Sequence, residues 1–480
     1  MKCLYIYVVL ALLIQFSLAK KSSKYCKING ATIKKSQYKE CKKVSKKCAE
    51  APNDDECVKL NALCKDVWGT SENPVTIPDV GKEIVNISAN FTSTWASSQY
   101  SAKGNMPPVD LEGYSYRQII RTSIAGKELR FHFSNLLGES ELELVSVHVA
   151  KSASQGSGEI ISETDTEITF NGGESSVKIP AYKEIVSDVI AFDAPPLSEL
   201  AITIFYGKVP ETVTSHVNSR TNTFIEAGNV VSKKQFSKDI TILHWYTISA
   251  VDVVSSGKEV ACVCLGDSIT DGRGVIFDAN NRWTDIFAEK LQKYPETQHV
   301  GVLNHGIGAT EVIGAEFDPM IPSAESRFEK DVIEQVNAKY LIIFYGVNDV
   351  LFSGRTTEEL IAAYRKLIER AHKAGITVYG ATILPFHLNS NYTEEKEKVR
   401  AELNEWILNT PASEGGFDGG IDFSKAVEDP SDPIALNREW NYEDDGLHPN
   451  HIGYAAIGNA VDVSLFTKTS EYLYDKAIKA

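Results

Sequence analysis

Hydrophobic and polar positions along the chain change rhythm from one stretch to the next. Between residues 70 and 255 apolar residues alternate with polar ones in short runs. Arg130-Phe131-His132-Phe133 alternates, and Leu142-Glu143-Leu144 passes into Val145-Ser146-Val147-His148-Val149. Leu200 to Tyr206 and Ile240 to Val254 keep the same rhythm. A period of two puts alternate side chains on opposite faces of a strand. The runs are bounded by Gly, Asn, Ser and Pro, and Asn171-Gly172-Gly173 is a turn signal between strands. The expectation for 70–255 is therefore an all-β sandwich of jelly-roll type. Its aromatics, Trp95 and Trp245 among them, suit either the packed core or a surface facing a sugar, and packing is the ordinary role.

From 256 to 470 the rhythm switches. Apolar runs of strand length at Val260 to Leu265, Val300 to Leu303, Tyr340 to Tyr345, Ile376 to Ala381 and around Ile421 are separated by amphipathic stretches. The latter predict helices over Trp283 to Tyr294, Arg327 to Ala338, Thr357 to Lys373 and Glu394 to Ile407. Alternating strands and helices give a parallel sheet covered on both faces, a flavodoxin-like three-layer α/β/α region. In such sheets ligands bind beyond the carboxyl ends of the strands. That is where chemistry is to be sought.

The beginning of the chain reads differently again. Lys2, the apolar run Leu4 to Phe16 and the small residues of Ser17-Leu18-Ala19 form the pattern of a signal peptide over 1–19, the alternative being an uncleaved anchor. The run is short for a membrane span, so no stable membrane insertion of the mature chain is expected. The expected location is extracellular, by secretion. Export makes the cysteine spacing informative. Residues 20–68 are lysine-rich. Cys41 and Cys48 are seven apart, as are Cys57 and Cys64, with Pro52-Asn53-Asp54-Asp55 between the pairs. Seven residues is about two helical turns, so each pair shares a helix face. This predicts a small Cys-rich helical hairpin, with Cys48–Cys57 and Cys41–Cys64 as disulfide candidates, although four cysteines allow other pairings. Cys26 is left over, free or bridged elsewhere. Zinc fits poorly, since the spacings are long and no histidine lies nearby. The basic module is a possible docking face or simply a solvated lysine surface. Asn86, Asn90 and Asn391 each begin a glycosylation triplet.

Composition changes this picture in one respect. The formal net charge is −15, which argues against a nucleic-acid partner. The 43% hydrophobic and 24% charged residues are those of an ordinary globular protein.

Candidate chemistry gathers at the predicted strand ends. Leu265-Gly266-Asp267-Ser268 places a serine directly after the first strand of the α/β region, at a helix start whose N–H groups are unpaired. A serine hydroxyl needs a base, and histidine titrates near neutrality. Asp445-Gly446-Leu447-His448-Pro449 supplies one, with a carboxylate three residues earlier that can turn back onto the imidazole. His451 is a rival base and Asp444 a rival carboxylate, both less well spaced. Gly346-Val347-Asn348-Asp349 places a side-chain amide after the third strand, where it can donate to an oxyanion. Asn304-His305-Gly306-Ile307-Gly308-Ala309 follows the second. Cys262 and Cys264 fall within the first strand and read as buried, unreactive thiols.

In order, spacing and context these four blocks resemble the SGNH hydrolase superfamily, the GDSL esterases and lipases, over about 256–470. The resemblance implies Ser268, Asp445 and His448 as catalytic triad. It implies an oxyanion hole from the N–H of Ser268, an N–H at Gly308 or Ala309, and Asn348. The family usually has glycine five residues after the asparagine of the second block. Here Ala309 stands in that place, which leaves the second donor open. A β domain ahead of the hydrolase is similar to the XynE-like branch, as are Asn281-Arg282-Trp283 and the closing Gly446-Leu447-His448-Pro449-Asn450. The implied activity is that of a secreted esterase needing neither metal nor other cofactor. It would remove small acyl groups, acetate above all, from a plant cell-wall polysaccharide such as xylan, or act on a small ester. A lipase, lysophospholipase or general arylesterase is the alternative within the family. A carbohydrate-binding protein with a vestigial hydrolase domain is the alternative outside it.

Overall fold

The computed structural model describes residues 25–28, 31–34, 91–314 and 321–467. The chain divides into two compact units, Met1–Val85 and Asn86–Ala480. Of the first, Tyr25–Ile28 pairs antiparallel with Ala31–Lys34, Cys26 standing opposite Ile33. The start of the 20–68 module is thus a β-ribbon and not helical. Asn29-Gly30 between the two strands is the hairpin signal that the cysteine spacing overshadowed. The signal segment, the expected helical hairpin with Cys41, Cys48, Cys57 and Cys64, and the triplets at Asn86 and Asn90 lie outside the described residues.

The second unit contains both the antiparallel β-rich region and the α/β region. In the β-rich region one sheet runs in the order Glu184–Val186, Gly126–Ser134, Ile248–Val254, Phe91–Ala96, with Ile190–Ala194 also on Gly126–Ser134. A second is built around Thr223–Ala227, Tyr114–Arg121, Glu199–Tyr206 and Leu142–Lys151. The alternation explains their packing. Phe131 and Phe133 of the first sheet and Tyr116, Ile202 and Ile204 of the second point into one shared core. Burying each such apolar side chain contributes about 1.5–3 kcal/mol. The run from Ile240 to Val254 is broken into three strands, the last break falling where Thr247 adopts φ 62° between His244–Tyr246 and Ile248–Val254. His244–Tyr246, Thr214–Val217 and Tyr100–Ser101 form a small third sheet. Trp95 and Trp245 are buried edge-to-face, their centroids 5.0 Å apart, and the Trp245 indole donates to the Ile119 carbonyl at 2.9 Å. Their role is packing.

The α/β region has five parallel strands. We number them β1 (Val260–Gly266), β2 (Val300–Gly306), β3 (Ala338–Phe344), β4 (Thr377–Ala381) and β5 (Gly419–Ile421). Their order is β2-β1-β3-β4-β5. This is the doubly wound arrangement whose direction of winding reverses between β1 and β3, and the crevice opens there. Burial on both faces accounts for the unbroken apolar runs of β1 and β3. Cys262 and Cys264 are buried free thiols in β1.

The helix Thr357–Lys373 shows how the sequence makes its elements. Thr356 and Glu359 form a reciprocal capping box. Leu360, Ala363, Tyr364, Leu367, Ile368 and Ala371 line the buried face, and Arg370, His372 and Lys373 close the last turn. Trp283–Gln292 and Glu394–Asn409 are helical as expected within a turn. The helix predicted over Arg327 to Ala338 is displaced. Ser323 caps a short helix Ala324–Phe328 that runs into a π turn at Glu329–Ile333, and Asn337, at φ 58°, turns the chain into β3.

The two regions are packed together through the backbone. Ser93 N–H donates to Val336 O at 3.2 Å, and Val302 N–H to Ser123 Oγ at 2.9 Å. A Cβ on Gly301 would lie 2.5 Å from Ser93 O, so only glycine permits this approach.

Candidate active site

The turn after β1 holds Ser268 in place by short-range means. Asp267 caps the helical turn Ser268–Asp271, its carboxylate accepting from Ile269 N–H at 2.9 Å, and Gly272 ends the turn at φ 98°. Gly306 of β2 lies directly against it. A Cβ there would come within 2.2 Å of Asp271 N. The Asn304 amide donates to Thr270 O at 2.7 Å and to Thr284 Oγ1 at 3.0 Å. Asn304 thus latches the turn to β2 and does not face the cleft.

Ser268 Oγ lies 2.8 Å from His448 Nε2. His448 Nδ1 lies 2.6 Å from Asp445 Oδ2. The other carboxylate oxygen of Asp445 accepts from the N–H groups of Leu447 and His448, both at 2.8 Å. That Asx turn returns the carboxylate to a ring three residues on. Burial opposes ionisation of Asp445, but the hydrogen bonds from the His448 ring and from the His448 and Leu447 N–H groups outweigh it. They hold its carboxyl below the usual range. An ionised Asp445 keeps the proton on Nδ1 and leaves Nε2 free to take one from Ser268. His451, the rival base, is exposed at the start of the last long helix, and Asp444 is exposed beside the turn.

The proposed oxyanion donors line one cleft. The Ser268 N–H is at a helix start, where it lacks an intrahelical partner. A Cβ on Gly308 would lie 3.9 Å from that of Ser268, so the loop after β2 passes alongside the serine. Ala309 adopts φ 62° and Gly308 does not have positive φ. The family's glycine place does have left-handed backbone here, and alanine occupies it. Asn348, buried after β3, donates one amide hydrogen to Thr310 O at 2.8 Å, which aligns the amide. Asp349 accepts from the N–H groups of Val312 and Ile313, tying that same loop to β3. Asp267 and Asp349 are both buried, and burial, reinforced for Asp267 by the nearby Asp349 charge, pushes each carboxyl up to about 7.

Ser268, Gly308, Ala309, Asn348 and His448 open into one cleft of about 470 Å³. Tyr100, Asn218 and Arg220 of the β-rich region line it as well. Sequence reasoning missed these three. They sit on a short strand and on the loop between Thr214–Val217 and Thr223–Ala227, and the one visible signal was the polar Asn218-Ser219-Arg220 stretch between apolar strands. Asn218 and Arg220 both adopt left-handed backbone. Among the described residues no group of three or more His, Cys, Asp or Glu side chains is arranged to hold a metal ion. No described helix is long and apolar enough to cross a membrane. Asn391 is exposed at a turn.

Residues 264–456 match the model of the GDSL-like lipase/acylhydrolase family. The α/β region is a GDSL-like (SGNH) hydrolase domain. The chain is similar in fold to an acetyl xylan esterase, 21% identical over 42% of this chain and 97% of the other, with TM-score 0.32. It is similar also to a GDSL-like lipase from Bacteroides thetaiotaomicron, 20% identical over 42% and 84%, with TM-score 0.31. The aryl esterase of M. smegmatis is 18% identical over 42% and 95%, with TM-score 0.33. No curated protein sequence matches the chain. The hydrolase domain thus carries the esterase and acylhydrolase fold.

Proposed function

We propose that this protein is an exported serine esterase that removes small acyl groups, acetate above all, from a plant cell-wall polysaccharide such as xylan. The observation that carries the chemistry is the unbroken chain Ser268 Oγ, His448, Asp445 at 2.8 and 2.6 Å, set beside the Asn348 amide in one cleft. Ser268 attacks the ester carbonyl while His448 Nε2 takes its proton. Asp445 stabilises the imidazolium. The Ser268 N–H, an N–H at Gly308 or Ala309 and the Asn348 amide hold the oxyanion. His448 then protonates the departing alcohol, and water repeats the sequence on the acyl-enzyme. The export pattern of residues 1–19 and the polar groups that the β-rich region brings to the cleft support a large hydrophilic alcohol portion. The exposed Ile276, Phe277 and Phe352 favour the second reading, a lipase, because apolar side chains around a cleft also suit an acyl chain.

The test compares wild type with Ser268→Ala on acetylated xylan and on acetyl, butyryl and longer nitrophenyl esters. Acetate release from xylan, preference for the shortest ester and a loss of about 10⁴-fold or more in the variant are expected. Preference for long chains moves the protein to the lipases with Ser268 still the nucleophile. Full activity in Ser268→Ala would overturn the triad.

A further inference from the structure

The cleft is lined by two guanidinium groups and by no carboxylate, in a chain whose formal net charge is −15. Arg220 comes from the β-rich region and Arg273 from the segment just after the Ser268 turn. We infer that Arg220 and Arg273 form an anion-recognition subsite beside Ser268, and that the preferred substrate is an acylated saccharide bearing a carboxylate, as in a uronate-containing polysaccharide. This rests on the esterase reading of the same cleft and narrows it.

The two arginines are held differently. Arg273 is exposed, and its guanidinium makes no hydrogen bond or ion pair among the described residues. Only its backbone is engaged: its N–H donates to Ser268 O at 2.9 Å, and its carbonyl accepts from the Tyr454 hydroxyl at 2.7 Å. The chain therefore fixes where the side chain starts, one helical turn from the nucleophile, and leaves the charged head to solvent or substrate. Arg220 is mostly buried. Its Nη2 is paired with Asp271, and its Nε is buried with no partner. Asp271 also faces His216, Nε2 to Oδ1 at 3.0 Å, so its carboxylate does not serve Arg220 alone. Arg220 thus brings to the cleft wall a guanidinium whose position is fixed by Asp271. Of the acids adjacent in sequence to lining residues, Asp267, Asp278, Asp349 and Glu443, none lines the cleft itself.

The aromatic groups in the lining are compatible with a saccharide. Phe277 and Phe352 line the cleft and are 52% and 49% exposed. Flat apolar rings left in water beside polar walls suit the apolar faces of pyranose rings. Tyr100 and Tyr442, on the same wall, add hydroxyls. A carboxylate-bearing sugar uses all of these at once.

The experiment measures kcat/KM on three probes: acetylated neutral xylan, acetylated polygalacturonate and lysophosphatidylglycerol micelles, with nitrophenyl acetate as reference. Wild type is expected to favour acetylated polygalacturonate over acetylated xylan. In Arg273→Gln, an exposed change that leaves the core intact, that ratio should fall about tenfold. Arg273→Lys should recover part of it, and raising salt should reduce it in wild type. Equal rates on the two polysaccharides, or a ratio unmoved by Arg273→Gln, would overturn the subsite. So would a preference for the lysophospholipid, which would assign the arginines to a phosphate headgroup. A wild type inert on nitrophenyl acetate as well would sink the esterase reading itself, a distinct failure.

Discussion

Ser268, the proposed nucleophile, is held from two sides, and the sides are built differently. On the side of the base, the contacts that orient the imidazole are local. Asp445 grips the ring and backbone of His448 three residues away, and the Asn389 amide braces the turn by donating to the Asp445 carbonyl at 2.9 Å. On the side of the β-rich region, every contact is long-range. Asp271, in the Ser268 turn, pairs with His216 and Arg220, and His216 Nδ1 faces the Ser98 carbonyl at 2.8 Å. Beneath the turn, Arg327 donates to the Gly266 and His305 carbonyls at 2.9 Å and to Ser98 Oγ at 2.7 Å. Its Nη2 also reaches the Tyr345 hydroxyl, which contacts Thr310, whose carbonyl holds the Asn348 amide. Local contacts set the chemistry of the base, whereas long-range ones set where the nucleophile and the oxyanion donors sit. Damage on the first side should silence the site in an intact fold. Damage on the second should loosen the fold itself.

Asp445→Asn separates the two most sharply. The Asn carbonyl can still accept from Leu447 and His448, so the turn survives. Its NH₂, however, would face Nδ1 and force the ring proton onto Nε2, which then cannot take one from Ser268. A loss of about 10⁴-fold in kcat with little change in Tm is expected. A large fall in Tm would show that the local side is structural after all.

Asp271→Ala is the counterpart. It strips the common acceptor from His216 and Arg220, both buried or nearly so. Leaving the Arg220 cation without its carboxylate costs about 3–5 kcal/mol. The expected result is a clear fall in denaturant midpoint together with lost activity, read by chemical denaturation. Stability within 1 kcal/mol of wild type (on the order of ordinary surface changes) would mean that the β-rich region is not clamped through this residue.

The pH dependence sharpens the same contrast. Asp349 has a folded pKa of about 7, well above its unfolded value, because burial disfavours its charge. Between those values the native state holds a proton that the unfolded state has released. Its contribution to stability is therefore full below about pH 4 and declines as the pH rises to about 7. Asp349→Asn keeps an acceptor for Val312 and Ile313 without the titration. Its Tm relative to wild type should rise from pH 5 to pH 8, followed by calorimetry. A constant difference would place the Asp349 pKa near its ordinary value.

How much was legible from the residues follows the same division. The parallel sheet could be read because strands buried on both faces are continuous apolar runs, and the meeting of Ser268, His448 and Asp445 could be expected because they sit at a strand end and within one short loop. The helix expected over Arg327 to Ala338 was misplaced because Arg327 is buried as a hub under Ser268, and amphipathic periodicity reads an arginine as surface. The β-ribbon at Tyr25–Lys34 was passed over in favour of the cysteine spacing that follows it. Tyr100, Asn218 and Arg220 could not be found, since their place in the cleft depends on how two regions far apart in sequence pack. Pattern along a chain carries no information about such packing.

Ala309 falls between these cases and gives the smallest effect. The sequence showed alanine where the family has glycine, and the consequence depended on whether the backbone there is left-handed. It is, at φ 62°. A Cβ in that conformation costs about 1–2 kcal/mol, and glycine gives back part of the gain by loosening the unfolded chain. Ala309→Gly should therefore stabilise the protein by roughly 0.5–1 kcal/mol, a rise in Tm of about 2 °C or less for a unit of this size. The strain is tolerated because the loop is held on both sides, by Asp349 at Val312 and by Thr310 Oγ1 on the Ile307 carbonyl at 2.7 Å. If the Ala309 N–H is the second oxyanion donor, the loosened loop should lower kcat several-fold as Tm rises. If Gly308 supplies the donor, kcat should hold while Tm rises, and the two measurements together identify which N–H faces the oxyanion.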